Sequence, residues 1–212
     1  MKYRFITIEG NIGAGKTTLA HLLEKHFDAR LILEQFADNP FLPKFYADRD
    51  QYAFPLELSF LAERFRQLKE VLNTRDLFNQ YLISDYLFIK SKLFASVNLP
   101  DDEFKLYSTL FDIIQPNLPK PDLLIYLHAP MQKLRENIKQ RNRSYEQNIP
   151  DEYLQNLQNA YLQLIRSDQY RTLIIDTSQT DFLNNKQQFE RLIDYLDQDY
   201  EAGFHFLNFS DV

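Results

Sequence analysis

Five short apolar runs divide the chain, and segments with helical periodicity lie between them. The runs cover residues 3–9, 31–34, 80–84, 122–127 and 171–176. Because alternating strands and helices form right-handed crossovers, this pattern predicts an α/β fold with a parallel sheet. The connection from about residue 35 to 79 is predicted to hold two helices, over roughly 40–48 and 53–73. We find no internal repeat and no second domain, so residues 1–212 are interpreted as one domain.

Glycine is scarce in this chain, yet three of its four glycines fall within six residues. Gly10, Gly13 and Gly15 follow the first apolar run and precede a helical pattern over residues 17–27. The stretch "EGNIGAGKTT" has the spacing G-x-x-x-x-G-K-[ST], which is the phosphate-binding loop (P-loop) of P-loop NTPases. Inward-pointing amides and a helix N-terminus make such a loop a site for anions. The alternative is a glycine-rich turn that binds no ligand.

The P-loop predicts a nucleotide and Mg²⁺ as ligands. Lys16 is expected to reach the β- and γ-phosphates, and Thr17 to offer its hydroxyl to Mg²⁺. The predicted nucleotide-binding residues are Gly10, Asn11, Ile12, Gly13, Ala14, Gly15, Lys16, Thr17 and Thr18.

Composition limits the other classes of function. The net charge of −6 argues against a nucleic-acid polymer as a partner. The chain has no cysteine, which excludes disulfides and thiolate metal sites and suits a reducing, cytoplasmic location. The first residues contain no apolar stretch long enough for a signal peptide or a membrane span, so no membrane partner is expected. The four histidines show no metal-ligand spacing.

Two carboxylates follow predicted strands. Glu34 ends the second apolar run, and ligands of parallel sheets gather beyond the carboxyl ends of the strands. Glu34 is therefore a candidate general base toward an attacking hydroxyl, the alternative being a solvated strand-end glutamate. Asp85 follows the third run, where P-loop enzymes commonly carry a carboxylate for Mg²⁺. The alternative for Asp85 is a helix N-cap, and both roles are compatible.

A basic segment near residue 140 is a candidate lid. Residues 131–143 hold five basic side chains and one acid, Glu136, and a polar turn follows before Pro150. A hinged basic segment of this kind can bring cations to a migrating phosphoryl group and exclude water. The predicted lid covers about residues 139–150, and the alternative is a solvated charged surface.

From the P-loop to "IIDTSQTDF" (174–182), the chain resembles a bacterial deoxynucleoside kinase of the deoxyadenosine and deoxyguanosine kinase type. The segment "RNRSYEQNIPDEYL" (141–154) is similar to the lid of that family. The resemblance implies a thymidylate-kinase-like, three-layer α/β/α fold with a five-stranded parallel sheet in the order 2-3-1-4-5. It also implies a homodimer, with ATP or GTP as the phosphate donor.

The resemblance further implies roles for individual residues. Glu34 would be the base toward the 5′-hydroxyl, and Asp85 would be the carboxylate on the metal side. Arg141 and Arg143 would contact the phosphates, and Arg64 would lie near the nucleobase. The sugar 3′-hydroxyl would be held by Tyr46 and Glu146.

The chain also departs from the family pattern. The usual acid-Arg-Ser triplet after the third strand is Asp85-Tyr86-Leu87 here, and a lid-helix arginine appears as Asn137. Arg135 is two residues away, about 200° around a helix, so it does not simply replace that arginine.

The predicted function is phosphorylation of a deoxynucleoside at its 5′-hydroxyl. A nucleoside monophosphate kinase such as thymidylate kinase is the nearest alternative, but its acceptor is a phosphate dianion that Glu34 would repel. A GTP-binding switch would read guanine with N-K-x-D, whereas the chain has "NNKQQ". A non-catalytic nucleotide-binding protein is a third alternative, which the intact Lys16, Thr17 and Asp85 do not support.

Base preference depends on Glu57, which shares a helical face with Arg64 seven residues later. Relatives usually have glutamine where Glu57 aligns and aspartate where Ser91 aligns. A carboxylate only accepts hydrogen bonds, whereas the pairing edge of thymine presents two acceptor oxygens. Adenine offers an amino donor and guanine two adjacent donors, so a purine deoxynucleoside is predicted, with the choice between the two left open. The alternative is that Glu57 only forms a salt bridge with Arg64.

Overall fold

The computed structural model describes residues 2–35, 39–73, 80–167 and 170–209. Its strands are β1 (Phe5–Gly10), β2 (Arg30–Ile32), β3 (Leu82–Ser84), β4 (Leu123–His128), β5 (Arg171–Asp176) and β6 (Gly203–Leu207). Its helices are α1 (Lys16–Phe27), α2 (Leu42–Ala47), α3 (Arg49–Asn73), α4 (Lys90–Asn98), α5 (Asp101–Ile114), α6 (Met131–Arg141), α7 (Asp151–Arg166) and α8 (Lys186–Leu196). Two 3₁₀ turns lie at Gln115–Asn117 and Ser144–Glu146.

The sheet is parallel, with the strand order β2-β3-β1-β4-β5-β6. The expected order 2-3-1-4-5 is therefore correct for the first five strands, but the prediction of only five strands is wrong. The chain end adds β6 beside β5, with Arg171 opposite Gly203 and Ile175 opposite Leu207. As an edge strand, β6 leaves Phe204 and Phe206 exposed, so it lacks the buried apolar run that marks the other strands. Residues 210–212, which follow β6 along the chain, lie outside the described residues.

Alternate residues of the strands build two cores on opposite faces of the sheet. On one face, Ile8 and Ile125 pack with residues of α1 and α8. On the other face, Tyr126 and Ile174 pack with residues of α3, α4, α5 and α7. The result is the expected three-layer α/β/α arrangement, which aligns the carboxyl ends of β1, β2 and β3 at one edge of the sheet.

The long connection between β2 and β3 holds two helices, as predicted, although α3 begins earlier than expected. The predicted start was residue 53, whereas the observed helix begins at Arg49 and includes Pro55. Asp48 accepts a hydrogen bond from the backbone N–H of Gln51 at 3.2 Å and so caps the helix that begins at Arg49. The earlier start adds about one turn to the N-terminal end of the helix that carries Glu57 and Arg64.

Candidate active site

The P-loop joins the end of β1 to the start of α1, as its motif predicts. Gly13 has a φ of +83° and Gly15 a φ of +94°, which side chains of L-residues rarely tolerate. A Cβ on Gly13 would also stand 2.8 Å from the carbonyl oxygen of Leu134. The glycines thus let the loop take its tight path and pack closely against α6.

Lys16 and Asn137 hold the P-loop in shape. Lys16 Nζ donates to the carbonyl oxygens of Gly10 at 2.8 Å and Asn11 at 2.9 Å. Asn137 Nδ2 donates to the carbonyl oxygen of Gly13 at 2.7 Å. Burial, followed by the nearby charge of Lys90, lowers the pKa of Lys16 to about 8. Asn137, a departure from the family pattern, therefore supports the loop through a neutral hydrogen bond.

Asp85 connects the P-loop to the segment that carries Glu34. One carboxylate oxygen accepts the hydroxyl hydrogen of Thr17 at 2.6 Å, and the other accepts the backbone N–H of Glu34 at 2.7 Å. The alternative role of helix N-cap is wrong, because the next helix begins only at Lys90. Asp85 and Thr17 offer oxygen atoms beside the phosphate loop, which is the donor type that Mg²⁺ prefers.

Glu34 is held between two cations. It lies two residues beyond β2, and its side chain is mostly buried, so the alternative of a solvated glutamate is wrong. Its Oε1 accepts two hydrogen bonds from Arg64, the one from Nε at 2.9 Å. Its Oε2 accepts from Lys90 Nζ at 2.5 Å. Burial raises the pKa of Glu34, but the charges of Lys90 and Arg64 outweigh it and hold that pKa well below its ordinary value.

Glu57 is buried, and the expected alternative of a salt bridge with Arg64 is not formed. Arg64 instead contacts Glu34, and its Nη1 donates to Ser91 at 2.8 Å. Glu57 Oε1 accepts from Asn98 Nδ2 at 2.6 Å, while Oε2 has no hydrogen-bond partner among the described residues. Burial raises the pKa of Glu57 to about 7. Glu57 is among the residues that line the cleft, so this buried carboxylate lies next to the space that a ligand would fill.

The lid residues converge on Glu146. This carboxylate is buried and accepts hydrogen bonds from Arg141 and, at 3.2 Å, from Arg143. The ring of Tyr46 on α2 stacks on that of Tyr145, with centroids 5.8 Å apart. The predicted lid segment is therefore tied to α2. Arg135 pairs with Asp151 at the start of α7 and does not replace the arginine absent at Asn137.

One cleft of about 760 Å³ brings the predicted residues together. Its lining includes Ile12, Gly13, Ala14, Gly15, Lys16, Thr17, Thr18, Glu34, Tyr46, Glu57, Arg64, Asp85, Arg141, Arg143 and Glu146. Gly10 and Asn11 contribute through the backbone carbonyls that hold Lys16. This volume is within the range of small-molecule sites.

Sequence reasoning missed two parts of the site. Lys90 lies in the cleft, and the signal that could have found it is a lysine five residues after Asp85. The loop after β5 also lines the cleft, through Thr177, Thr180, Asp181, Phe182, Leu183 and Asn184. Tyr86 itself is buried and donates its hydroxyl hydrogen to Gln67 Oε1 at 2.7 Å, so it faces α3.

A family model described as "Deoxynucleoside kinase" matches residues 6–199. The chain belongs to the deoxynucleoside kinase family. It is similar to a deoxyguanosine kinase of Bacillus subtilis, with 37% identity over 196 residues that cover 89% of this chain and 93% of the relative. It is also similar to a deoxyadenosine/deoxycytidine kinase of the same organism, with 29% identity over 203 residues that cover 92% of each chain.

The fold is similar to that of a deoxyadenosine kinase from M. mycoides, solved with dCMP and dCDP bound. The TM-score is 0.80 and the identity 24%, and the match covers 91% of this chain and 98% of the other. The deoxynucleoside kinase thus keeps the fold of its family, and the family uses a nucleotide as phosphate donor. Within the described ranges, no helix is long and apolar enough to cross a membrane.

Proposed function

We propose that this kinase phosphorylates purine deoxynucleosides at the 5′-hydroxyl, with deoxyguanosine preferred at neutral to alkaline pH. ATP or GTP would be the donor. The 5′-oxygen forms a bond to the γ-phosphorus, and the bond from that phosphorus to the β–γ bridging oxygen breaks. The electron pair leaves with the nucleoside diphosphate, and the hydroxyl proton passes to Glu34.

The donor end of the cleft is assigned to residues 10–18. Lys16 would move from the loop carbonyls to the β- and γ-phosphates. Thr17 and Asp85 would hold Mg²⁺ together with phosphate oxygens and water, because Mg²⁺ usually takes only one or two protein carboxylates. When bound, that ion neutralises charge on the phosphates. Arg141 and Arg143 would add positive charge from the lid.

The acceptor end is assigned to Glu34, Tyr46 and Glu146. Glu34 stays ionised at neutral pH, and its low pKa makes it a weak base. This suits phosphoryl transfer, which depends more on positioning and charge stabilisation than on proton abstraction. Because Lys90 and Arg64 offset the charge of Glu34, repulsion of a phosphate dianion is a weaker argument than the sequence suggested. Family membership is the better reason to expect a nucleoside as acceptor.

Base preference is the part of the proposal that the geometry supports best. The observation that carries it is Glu57, a buried carboxylate that lines the cleft together with Arg64 and whose Oε2 has no hydrogen-bond partner among the described residues. An ionised carboxylate can accept hydrogen bonds from two adjacent donors of guanine, whereas the oxygens of thymine would oppose it. Each buried polar group left unpaired costs about 1–3 kcal/mol, which is enough to rank substrates. The similarity to a deoxyguanosine kinase agrees with this choice.

The test is a panel of the four deoxynucleosides, assayed by release of ADP, with wild type and Glu57→Gln. We expect deoxyguanosine to have the highest kcat/KM with wild type at pH 8, and thymidine to gain relative to it in the variant. If thymidine is the best substrate of the wild type, or if Glu57→Gln leaves the ranking unchanged, the base assignment is wrong. No turnover of any deoxynucleoside would contradict the catalytic proposal itself.

We also infer that the chain forms a homodimer in the cytoplasm. Leu106, Leu110 and Ile113 form an apolar stripe along α5 and are 55%, 38% and 66% exposed. A stripe on one helix face is suited to a second copy of the same face across a two-fold axis. Both the dimer and the location remain predictions.

A further inference from the structure

Lys90 is a buried cation to which the sequence assigned no role. It is 4% exposed, although lysine is almost never fully buried without a partner. It is the first residue of α4 and lines the cleft, where its amine bonds Glu34. Because burying an amine costs free energy that an apolar side chain would avoid, its presence at this position needs a reason.

The backbone that carries Lys90 is anchored to the centre of the sheet. Glu9 on β1 accepts the backbone N–H of Leu87 at 2.6 Å, and Leu87 accepts the backbone N–H of Lys90 at 2.9 Å. Farther along the side chain, Nζ lies 5.3 Å from the ring centroid of Phe94. These contacts fix the position of the Lys90 backbone and direct its amine toward Glu34.

Lys90 and its neighbour Ser91 clamp the ion pair of Glu34 and Arg64. Lys90 bonds the carboxylate through Oε2, and Ser91 accepts from the guanidinium. An ionised carboxylate has about four lone-pair positions, and the two bonds from Arg64 and one from Lys90 fill three of them. The remaining position is on Oε2, the oxygen that Lys90 holds.

We propose that Lys90 is a positioning residue, which orients Glu34 so that the free lone pair of Oε2 faces the 5′-hydroxyl of the acceptor. This inference rests on the proposed role of Glu34. Without Lys90, two positions on Oε2 are open and only Arg64 fixes the carboxylate. Near-attack geometry depends on such constraints, and a misplacement of about 1 Å can cost about a hundredfold in rate.

The charged groups around Lys90 fit a role between the two substrates. They come from β1, α1 and α3 and from the segments that follow β2 and β3, namely Glu9, Lys16, Glu57, Arg64, Glu34 and Asp85. The charge of Lys90 is one cause of the lowered pKa of Lys16, so the amine lies within electrostatic reach of the P-loop. Glu34, Arg64 and Lys90 together carry a net positive charge at the place where the transferred phosphoryl group must pass.

The test compares Lys90→Met with Lys92→Met on the same helix. Lys92 pairs with Asp112 at the surface, so its variant controls for the loss of a lysine from α4. We expect Lys90→Met to lower kcat about tenfold to a hundredfold while the nucleoside KM changes far less, because orientation is lost rather than binding. Lys90→Arg should recover most of the rate. If Lys90→Met does not fold, Lys90→Gln is the second neutral variant.

A double-mutant cycle separates positioning from a purely structural role. In the Glu34→Gln background, Lys90→Met should change kcat by no more than about twofold, because the group that it orients is absent. Equal fractional losses in both backgrounds would overturn the proposal, as would a kcat for Lys90→Met equal to that of Lys92→Met. Normal activity of Glu34→Gln would overturn the role of Glu34 and this inference together. Absence of deoxynucleoside turnover in the wild type would contradict the proposed function instead.

Discussion

At the scale of single residues, Glu57 has the most informative chemistry in the cleft. Burial raises the pKa of Glu57 to about 7. The hydrogen bond from Asn98 and the charges of Arg64 and Lys90 oppose this rise, and the charge of Glu34 adds to it. Below that pH the protonated acid donates one hydrogen bond and accepts another, which matches N1 and the amino group of adenine. Above it, the carboxylate only accepts, which matches the two adjacent donors of guanine.

We therefore predict that the preference for deoxyguanosine over deoxyadenosine rises with pH. Between pH 6 and 8 the ionised fraction of a group with a pKa near 7 rises about tenfold, so the ratio of the two kcat/KM values should rise by about tenfold or more. Taking the ratio cancels the titration of groups that act on both substrates, including Lys16. Glu57→Gln should give a ratio that does not vary with pH. A constant ratio in the wild type would exclude Glu57 from the base site.

Residues that belong to a motif could be predicted from the sequence, and Lys90 could not. The P-loop spacing is local, and the structure has the predicted loop between β1 and α1. Lys90 is 56 residues from Glu34 along the chain, so their contact depends on β2 and β3 lying side by side. The same reason applies to Asp85, because the start of α4 at Lys90 is what excludes its role as a helix N-cap.

At the scale of elements, α6 connects the P-loop with the lid. Asn137 in the helix bonds the P-loop carbonyl of Gly13, and Arg141 at its end bonds Glu146. The helix ends at Asn142, which adopts a left-handed conformation with a φ of 55° and turns the chain into the lid. A shift of α6 would therefore change the loop and the lid arginines together.

We predict that Asn137→Ala weakens the use of the phosphate donor. Losing a hydrogen bond worth about 0.5–1.5 kcal/mol should raise the donor KM by about twofold to tenfold, with a smaller change in the nucleoside KM. Gln132→Ala is the matched control, because Gln132 bonds only Glu136 on the exposed side of the same helix, as far as its described hydrogen bonds go. A lower melting temperature with an unchanged donor KM would show that Asn137 stabilises the fold but does not affect donor binding.

Element boundaries were less predictable than element types. Buried runs identified β1, β4 and β5 because both faces of those strands are covered, which makes the apolar signal continuous, while β2 and β3 have short runs that are partly buried. The edge strand β6 has no such signal, and its pairing with β5 depends on the position of α8. The observed α3 begins four residues before the predicted start, because Asp48 caps a first turn whose residues Arg49, Asp50 and Gln51 are polar and carry no apolar periodicity.

At the scale of the whole molecule, the cleft is less acidic than the chain. The chain has a net charge of −6, whereas the cleft lining has six basic and five acidic side chains, a formal net charge of +1. They are Lys16, Arg64, Lys90, Lys133, Arg141 and Arg143 against Glu34, Glu57, Asp85, Glu146 and Asp181. A site for polyphosphate needs positive charge locally, while a negative overall charge disfavours binding to nucleic-acid polymers. Composition alone predicted that a nucleic-acid polymer is disfavoured as a partner. The fold was needed to find which residues bring positive charge to the cleft.

The apolar stripe on α5 leads to a prediction about assembly. Light scattering on wild type should give about twice the chain mass of 25.4 kDa, and the double variant Leu106→Glu/Ile113→Glu should give the chain mass itself. Opposing glutamates across a two-fold interface would repel each other and lose the apolar burial that stabilises it. Phe206→Glu is the control, because Phe206 is 74% exposed but lies on β6. Loss of the dimer in Phe206→Glu alone would assign the interface to the sheet edge, and a monomeric wild type would refute the dimer.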